Sequence, residues 1–325
     1  MTRRGIVTGG AGFVGSHLVD LLVDTGWEVL VLDDLSSGHM ENVAAARRRG
    51  KVSVHVTDVR SDELPDLMGR FDPEVVFHLA AQSKVQPSVK DPVRDADINV
   101  LGTINVLQSA QRAGARKVVF ASSGGAIYGG RAKLPVKERA AKRPESPYGI
   151  SKKIVEDYFR WYSEMHGLAY TLIAPANIYG PRQDPGLEGG VVAIFSLAMI
   201  EGRRPTIFGD GSQTRDYVYV ADICDAFTRA ADKGDGRLLN IGSGVETSVN
   251  RLYAAVGAAT GFDDAARFAD PKPGDVHRSV VDASAAKKVL GWEAWTPLED
   301  GLARTVEWYR SLPTPDPRAS GESPP

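Results

Sequence analysis

Tyr148-Gly-Ile-Ser-Lys152 sets a phenol four residues before a lysine at the head of a helical stretch, so both side chains fall on one helix face, one turn apart. A lysine there holds a phenol toward its ionised form, and an ionised phenol accepts a proton from an alcohol. Free tyrosine titrates at about 10, so a base that works near neutrality needs a drop of roughly 3 units, about 4 kcal/mol. One positive charge at about 4 Å supplies roughly that much at an effective dielectric of about 20. The competing reading is an exposed tyrosine above a surface lysine. Of the ten tyrosines, Tyr148 alone has a lysine four residues on, so the rest of the chain must decide.

A second chemical signature lies at the start. Thr8-Gly9-Gly10-Ala11-Gly12-Phe13-Val14-Gly15 spaces three glycines as G-x-x-G-x-x-G between a strand pattern and a helix pattern. Glycines at Gly9, Gly12 and Gly15 tighten the turn and bring backbone N–H groups and a helix N-terminus to a pyrophosphate. A tight turn with no ligand is the alternative. Asp33 closes the next strand near the offset of a ribose-binding acid, where a carboxylate accepts from ribose hydroxyls and repels a 2′-phosphate, favouring NAD over NADP. Asp58 follows the third strand and either meets the adenine edge or caps a turn.

The elements that must position these groups alternate. Strand patterns cover Gly5–Thr8, Glu28–Asp33, Val52–Val56, Glu74–His78, Lys117–Ala121 and Tyr170–Ile173; helical patterns cover Phe13–Asp24, Glu63–Met68, Pro92–Ala113 and Ser146–His166. Val14, Leu18 and Leu21 recur at the spacing of one buried stripe. This order predicts an α/β fold, a Rossmann-type doubly wound parallel sheet with helices on both faces. After Ala174 the pattern loosens into a Pro- and Gly-rich loop and the helix VVAIFSLAMIEG, and Arg237–Ile241 reads as a strand returning to the main sheet. A smaller, interleaved C-terminal substrate-binding lobe is therefore expected. Residues 1–175 with about 216–245 would form the cofactor domain, about 176–215 with 246–312 the lobe, and the Pro/Ser/Gly-rich 313–325 a disordered tail.

Bulk properties narrow the partners. A net charge of −2 over 325 residues gives no electrostatic reason for nucleic acid or an anionic membrane. The run Arg47-Arg48-Arg49-Gly50-Lys51 reads as the end of a solvated helix. Cys224, the single cysteine, excludes an internal disulfide and reads as a structural thiol, and no metal site is expected. The first strand begins near Gly5 with no apolar leader region, Arg3-Arg4 without one is no twin-arginine signal, and VVAIFSLAMI is too short to span a bilayer. These features predict a cytoplasmic protein.

Read in order, TGGAGFVG, LDDLSSG, VFHLAAQ, SSGGAIYG, SPYGISK, ANIYGPRQDP, GDGSQTRDYVYV and NIGSG resemble the extended short-chain dehydrogenase/reductase superfamily, and within it the UDP-glucose 4-epimerase family, from about Gly5 to about Tyr309. The resemblance implies an internal redox cycle. Tyr148 takes the proton of the sugar 4-hydroxyl while the C4 hydride passes to NAD⁺; the 4-keto sugar turns over in the site and hydride returns to its other face. NAD should then stay bound, and affinity should come mainly from the UDP part, away from the chemistry. By motif, the resemblance implies cofactor contacts from Gly9, Gly12, Phe13, Val14, Gly15, Asp33, Asp34, Ser37, Gly38, Asp58, Val59, Leu79, Ala80, Ala81, Asn99, Ser122, Tyr148, Lys152 and Pro175. It implies substrate contacts from Ser123, Gly124, Tyr148, Asn177, Val191, Val192, Thr206, Phe208, Arg215, Lys272, Asp275, Arg278 and Ser279. Apart from the resemblance, Arg215 would read as a surface ion pair and Asn99 as a helix-capping amide.

The chain departs from the family pattern at four places. Where many members carry a catalytic Ser or Thr, this one has Gly124, followed by Gly125 and Ala126; Ser123, or failing it Ser122, would have to supply the hydroxyl. The same glycines replace the Asp-Glu pair of nucleotide-sugar 4,6-dehydratases and argue against dehydration. Asp184 stands where uronate 4-epimerases tend to have arginine, so a UDP-glucuronate 4-epimerase is the weaker alternative, and a non-catalytic NAD-binding sensor is weaker still because Tyr148 and Lys152 are retained. Ser279 occupies the place of a bulky tyrosine, which leaves room for a 2-acetamido group, hence UDP-GlcNAc and UDP-GalNAc beside UDP-glucose and UDP-galactose. Lys272 replaces an arginine on the diphosphate, with Arg278 nearby to share the role. Relatives pack the helices at Pro92–Ala113 and Ser146–His166 into a four-helix dimer interface, so a homodimer is expected; Tyr158, Phe159 and Tyr162 would lend that face apolar area, though core packing accounts for them equally.

Overall fold

Seven short runs of β-branched and aliphatic residues pair edge to edge, all in parallel, in the computed structural model, which describes residues 2–186, 190–271 and 276–312. The strands are β1 (Arg4–Thr8), β2 (Glu28–Asp33), β3 (Val52–Val56), β4 (Val75–His78), β5 (Lys117–Ala121), β6 (Ala169–Pro175) and β10 (Arg237–Ile241), in the spatial order β10-β6-β5-β4-β1-β2-β3. The order reverses between β1 and β4, and at such a switch point the two diverging crossovers open a crevice beyond the strand C-termini. Gly9, Leu79 to Ala81 and Ser122 all follow directly from strands that end there.

Alternating side chains fill both faces. Val7, Val29, Val31, Phe77 and Val119 join one apolar cluster with helix α1 (Phe13–Asp24), α2 (Met40–Arg49) and residues of the C-terminal half. Ile6, Leu30, Leu32, Val76 and Phe120 join the other with α3 (Leu64–Phe71), α6 (Gly102–Arg112) and α7 (Pro147–His166). On α1 the fully buried stripe is Leu18, Val19 and Leu22, with Val14 and Leu21 at its margins, because the helix wedges between the sheet and α9 (Val220–Ala230). Buried Cys224 on α9 faces the Val14 carbonyl at 3.7 Å, and burial pushes its thiol up, as suits a structural residue.

The stretch expected as one helix over 92–113 is three pieces after a short α4 (Val85–Lys90): α5 (Pro92–Ala96), a π-helical turn over Asp97–Leu101, and α6. Such turns re-aim side chains within a continuous helix, and this one carries Asn99 inward.

The segments expected in the lobe carry β7 (Asn177–Tyr179), α8 (Val191–Ile200), β8 (Thr206–Phe208), β9 (Thr214–Tyr219), β11 (Glu246–Ser248), α10 (Val249–Thr260), β12 (Arg267–Ala269), α11 (Ser284–Leu290) and α12 (Leu298–Ser311), of which α11 packs on β10 and α9 beside the main sheet. Strands β11, β9 and β7 form one small sheet and β12 with β8 another. Residues 216–219 pair within the small β11-β9-β7 sheet, while α9 and β10 that follow pack on α1 and β6. Buried Asp216 is the hinge pin of this change: its carboxylate accepts from Ser243 N at 2.8 Å, Ser243 Oγ at 2.7 Å, Gly244 N and Val281 N, tying β9 to the loop after β10. Residues 313–325, expected as a disordered tail, lie outside the described residues, as do Lys272 and Asp275.

Candidate active site

The turn from β1 to α1 explains its own glycines. Gly9 holds φ at +69°, a left-handed conformation, and a Cβ there would lie 2.7 Å from Ala80 N. At Gly15 a Cβ would lie 2.0 Å from the Gly9 carbonyl oxygen. The turn and helix can therefore touch only without side chains. Gly12 caps α1 and offers no side-chain acceptor, which leaves the helix N-terminus to a ligand. Phe13 is buried in the core and Val14 packs against it, so their contribution to a bound group runs through backbone N–H.

Asp33 is buried beside this turn. Its carboxylate accepts from Ala11 N at 2.8 Å and Leu35 N at 2.9 Å, while burial pushes its pKa up. Each oxygen retains lone-pair capacity, and a Cβ on Gly38 would lie 2.8 Å from one of them, so Gly38 preserves an approach to the acid. Asp34 is turned outward onto Ser36, and Ser37 is exposed in the same loop. Asp58 behaves as the turn cap: it accepts from Arg60 N at 2.8 Å and holds the Arg60 guanidinium through two further bonds, which depress its pKa. Val59 is buried against the α3–α6 face, so its side chain is unavailable to an adenine.

The Gly-rich turn, the Asp33 carboxylate and the loop at Leu79, Ala80 and Ala81 line one continuous edge of the sheet. Among the described residues, the buried Ser122 hydroxyl beyond β5 finds no hydrogen-bond partner. Buried Pro175 closes the same edge, its carbonyl accepting from Gly124 N at 2.9 Å. A cradle of backbone N–H groups, a ribose-type acid and an unpaired buried hydroxyl fit a dinucleotide.

Helix α7 brings the reactive pair to that edge. Ser146 caps it by accepting from Gly149 N, and Pro147 occupies the first turn. A Cβ on Gly149 would lie 2.6 Å from the Ala126 carbonyl oxygen, so this glycine lets the helix abut the 123–127 turn. The approach brings Ser123 beside Tyr148, where its hydroxyl acts to pull the phenol's pKa down. Gly124 has no such freedom: a Cβ there would lie 2.9 Å from the Ala174 carbonyl oxygen and 3.1 Å from that of Pro175. The turn lies too close to β6 for a hydroxyl-bearing side chain at 124, and the hydroxyl stands one residue earlier.

Lys152 is buried, donates to the Ala121 carbonyl at 2.8 Å and rests 4.5 Å from the Phe120 ring centre and 5.8 Å from that of Tyr148. Burial moves the pair in opposite directions. The phenol is pushed up to about 12, with Ser123 pulling it back, and the ammonium is brought down to about 7, with Asp95 pulling it up. Both groups are thus driven toward neutrality. Bringing Tyr148 from about 12 to near 7 takes roughly 7 kcal/mol, more than the roughly 4 kcal/mol of one nearby charge. Desolvation thus raises the task from roughly 4 to roughly 7 kcal/mol, beyond the charge of Lys152 taken by itself.

Asn99 is neither exposed nor a helix cap. It accepts from Gln82 N at 2.9 Å and donates to Gln82 O and to Asp95, bracing the loop after β4. Asp95 and Gln82 were not singled out from the sequence, although Asp95 stands one helical turn before Asn99 on the same face.

On the lobe side, Asn177 donates to the Asp216 carbonyl at 3.3 Å and Arg215 to the Thr214 carbonyl at 2.8 Å. Val191 and Val192 open α8, with Val192 buried in the core, so only its backbone can meet a ligand. Thr206 and Phe208 flank buried Ile207 on β8. Arg278 is engaged by Glu246 through two bonds of 2.9 and 2.5 Å, which compete with any role on a diphosphate. Ser279, beside it, donates its N–H to the Thr214 carbonyl and is half-buried. Among the described residues no His, Cys, Asp and Glu cluster could hold a metal ion, and no helix is long and apolar enough to cross a membrane.

Comparison with known proteins places this geometry. The family model described as "NAD dependent epimerase/dehydratase family" matches residues 6–242. The UDP-glucose 4-epimerase of Mycolicibacterium smegmatis is 48% identical over 309 residues, 95% of this chain and 99% of that protein. The UDP-glucose 4-epimerase of Thermotoga maritima, solved with UDP-glucose, superposes with a TM-score of 0.91 at 44% identity, covering 94% of this chain and 98% of that one. The UDP-N-acetylglucosamine 4-epimerase of Methanobrevibacter ruminantium, solved with UDP-N-acetylmuramic acid, superposes with a TM-score of 0.91 at 32% identity, covering 95% and 99%.

Proposed function

The chain belongs to the NAD dependent epimerase/dehydratase family, and on that premise we propose that it interconverts UDP-hexoses at C4 through a transient 4-keto sugar. The observation that carries the reading is the assembly of Tyr148, Ser123 and Lys152 at the switch-point edge, beside the Gly9–Gly15 turn. NAD held by the Gly9–Gly15 turn and Asp33 would supply the reversible hydride acceptor for C4 and positive charge near the phenol. The chain's own residues do the rest. Tyr148 accepts the proton of the 4-hydroxyl, Ser123 donates to its phenol oxygen and stabilises the ionised form, and Lys152 adds positive charge within one helical turn. Lys152 stays fixed by the Ala121 carbonyl, so it faces the phenol throughout. Asn177, Thr206, Phe208 and Arg215 hold the UDP part from the lobe, and the hexose is left with few directional contacts so that it can turn over. The cofactor half and the lobe thus divide the labour, and the enzyme works in the cytoplasm.

The test is incubation with NAD and a panel of UDP-sugars, followed by the anomeric proton signals in NMR. UDP-glucose and UDP-galactose should reach a common equilibrium mixture, and UDP-GlcNAc should convert as well, since Ser279 leaves space beside C2. Ser279→Tyr should cut UDP-GlcNAc turnover roughly tenfold or more while changing UDP-glucose turnover little, the discrimination expected from filling a substrate pocket. An enzyme that leaves every UDP-hexose unchanged overturns the reading.

The enzyme acts as a homodimer through a four-helix bundle. Phe159 and Tyr162 are buried in the protein's own core and do not form the interface. The outer face of α7 instead exposes Ile150, Ile154, Tyr158, Trp161 and Met165, at spacings of three and four residues, with Val89 and Val93 exposed on the neighbouring α4 and α5. An apolar stripe this long on a surface helix asks for a partner. Ile154→Asp should halve the mass measured by analytical ultracentrifugation without unfolding the protein; an unchanged dimer would place the interface elsewhere.

A further inference from the structure

Between α5 and the first turns of α7 lies a carboxylate that the proposed reaction does not use. Asp95 is 1% exposed, and each of its oxygens is held. Oδ1 accepts from Gln82 Nε2 at 2.8 Å and Asn99 Nδ2 at 3.0 Å, and Oδ2 accepts from Ser151 Oγ at 2.7 Å. Gln82 sits in the loop after β4, Asn99 in the π-helical turn, and Ser151 in α7 immediately before Lys152. One buried side chain therefore joins three elements that converge on the Tyr148–Lys152 pair.

We propose that Asp95 is a positioning residue for the Tyr148–Lys152 pair: its three hydrogen bonds lock the head of α7 to the loop after β4, and its charge balances the buried Lys152 ammonium. A buried carboxylate costs several kcal/mol unless paired or well hydrogen-bonded, and three neutral donors with a nearby ammonium meet that condition. An apolar residue would fill the space without such a cost, so the charge itself has a use. Its field acts on both members of the pair with one sign, stabilising the protonated form of Lys152 and of Tyr148 alike.

The surrounding charges leave this role to Asp95. On the elements packed against α7, Lys90 and Arg94 are exposed, Asp97 is paired with Arg60, and Arg112 faces Tyr162 near the end of α6. On α7, Lys153 is exposed and Glu156 is paired with Lys142. His78, buried at the end of β4 between Thr8 and Thr103, is brought down to about 3 by burial and by Lys152, so it stays neutral.

The proposal rests on the catalytic reading of Tyr148 and Lys152, and the experiment separates the two. Asp95→Asn keeps the shape and removes the charge. The kcat–pH profile of the variant should be a bell with both limbs moved to lower pH by roughly one unit, since the coupled pair loses one field that raised both of its titrations. KM for the UDP-sugar should change less than about twofold, because Asp95 lies away from the nucleotide-binding lobe. In the cofactor-free protein, the Lys152 resonance of ¹⁵N-lysine-labelled samples, assigned with Lys152→Met, should titrate at lower pH in Asp95→Asn than in the parent. A rate loss equal at all pH values, or an unmoved Lys152 titration, overturns the proposal and leaves Asp95 a packing residue. If Asp95→Asn does not fold, Ser151→Ala decides: it should lower kcat several-fold with both limbs in place, and an undiminished kcat overturns the positioning role. A Tyr148→Phe control that retains turnover would overturn the catalytic reading instead, while the Lys152 titration would still report on Asp95.

Discussion

Tyr148→Phe should lower kcat about a thousandfold, the range typical of removing a general base, while binding of UDP and of NAD stays within a few-fold of the parent. Only the phenol oxygen is lost, and the ring keeps its place over Lys152. The measurement is single-turnover conversion of UDP-galactose together with calorimetric binding of each nucleotide. The accompanying Ser123→Ala should cost less, roughly ten- to a hundredfold, because its hydroxyl acts by pulling the phenol's pKa down. The two losses should not add: Ser123→Ala placed on Tyr148→Phe should cost almost nothing more, since a relay without its base has nothing to relay. Additive losses would mean that Ser123 reaches the sugar by a path of its own. Tyr148→Phe with turnover near the parent level would remove the base from the mechanism altogether.

The size of that effect follows from the environment and not from the motif alone. Spacing within the chain shows that Tyr148 and Lys152 share a helix face. It does not show that the face is buried, and burial reverses the simple expectation by pushing the phenol up to about 12 and the ammonium down to about 7. Local patterns were readable where an element is bounded by turn residues and filled with β-branched side chains. Glu28–Asp33, Val52–Val56, Lys117–Ala121 and Arg237–Ile241 begin and end where the pattern does. The three-residue strands β7, β8, β11 and β12 were not readable, because no period can show in so short a run and their pairing is wholly non-local. Helix α7 carries two apolar stripes, and its pattern cannot say which one meets the sheet: Phe159 and Tyr162 do, while Ile150 and Ile154 do not.

The candidate site shows the same division. The turn Gly9–Gly15 and Asp33 are legible because backbone geometry and a strand end demand them. Asp95 is not, because its use lies in partners 13 residues back at Gln82 and 56 residues on at Ser151, and a single sequence shows no such pairing. The place of Ser123 lay between: the missing hydroxyl at Gly124 was visible, but its cause, the closeness of the Ala174 and Pro175 carbonyls, belongs to tertiary packing.

Gly15→Ala should be the most damaging single-methyl substitution at the nucleotide edge. The added Cβ would lie 2.0 Å from the Gly9 carbonyl oxygen and 2.8 Å from Gly10 Cα, and both are backbone atoms with no rotamer to change. Relief requires α1 to draw back from the turn or the turn to open. The first breaks the packing of Leu18, Val19 and Leu22, and the second moves Gly9, which holds φ at +69° against Ala80. Overpacking of this kind costs about 1–3 kcal/mol of stability. The functional loss should exceed that share, because a pyrophosphate cradle depends on N–H groups converging within tenths of an ångström. NAD affinity measured by calorimetry should fall at least about a hundredfold, equal to about 3 kcal/mol, with UDP affinity nearly unchanged since the lobe is untouched. The substitution Gly26→Ala gives the comparison: a Cβ there meets nothing within 4 Å, so although its φ of +85° is strained for alanine, it should cost stability and leave NAD affinity intact. Equal losses of NAD affinity in the two variants would show that the turn answers to global stability, and that the close approach of Gly15 to Gly9 is not what shapes the cradle.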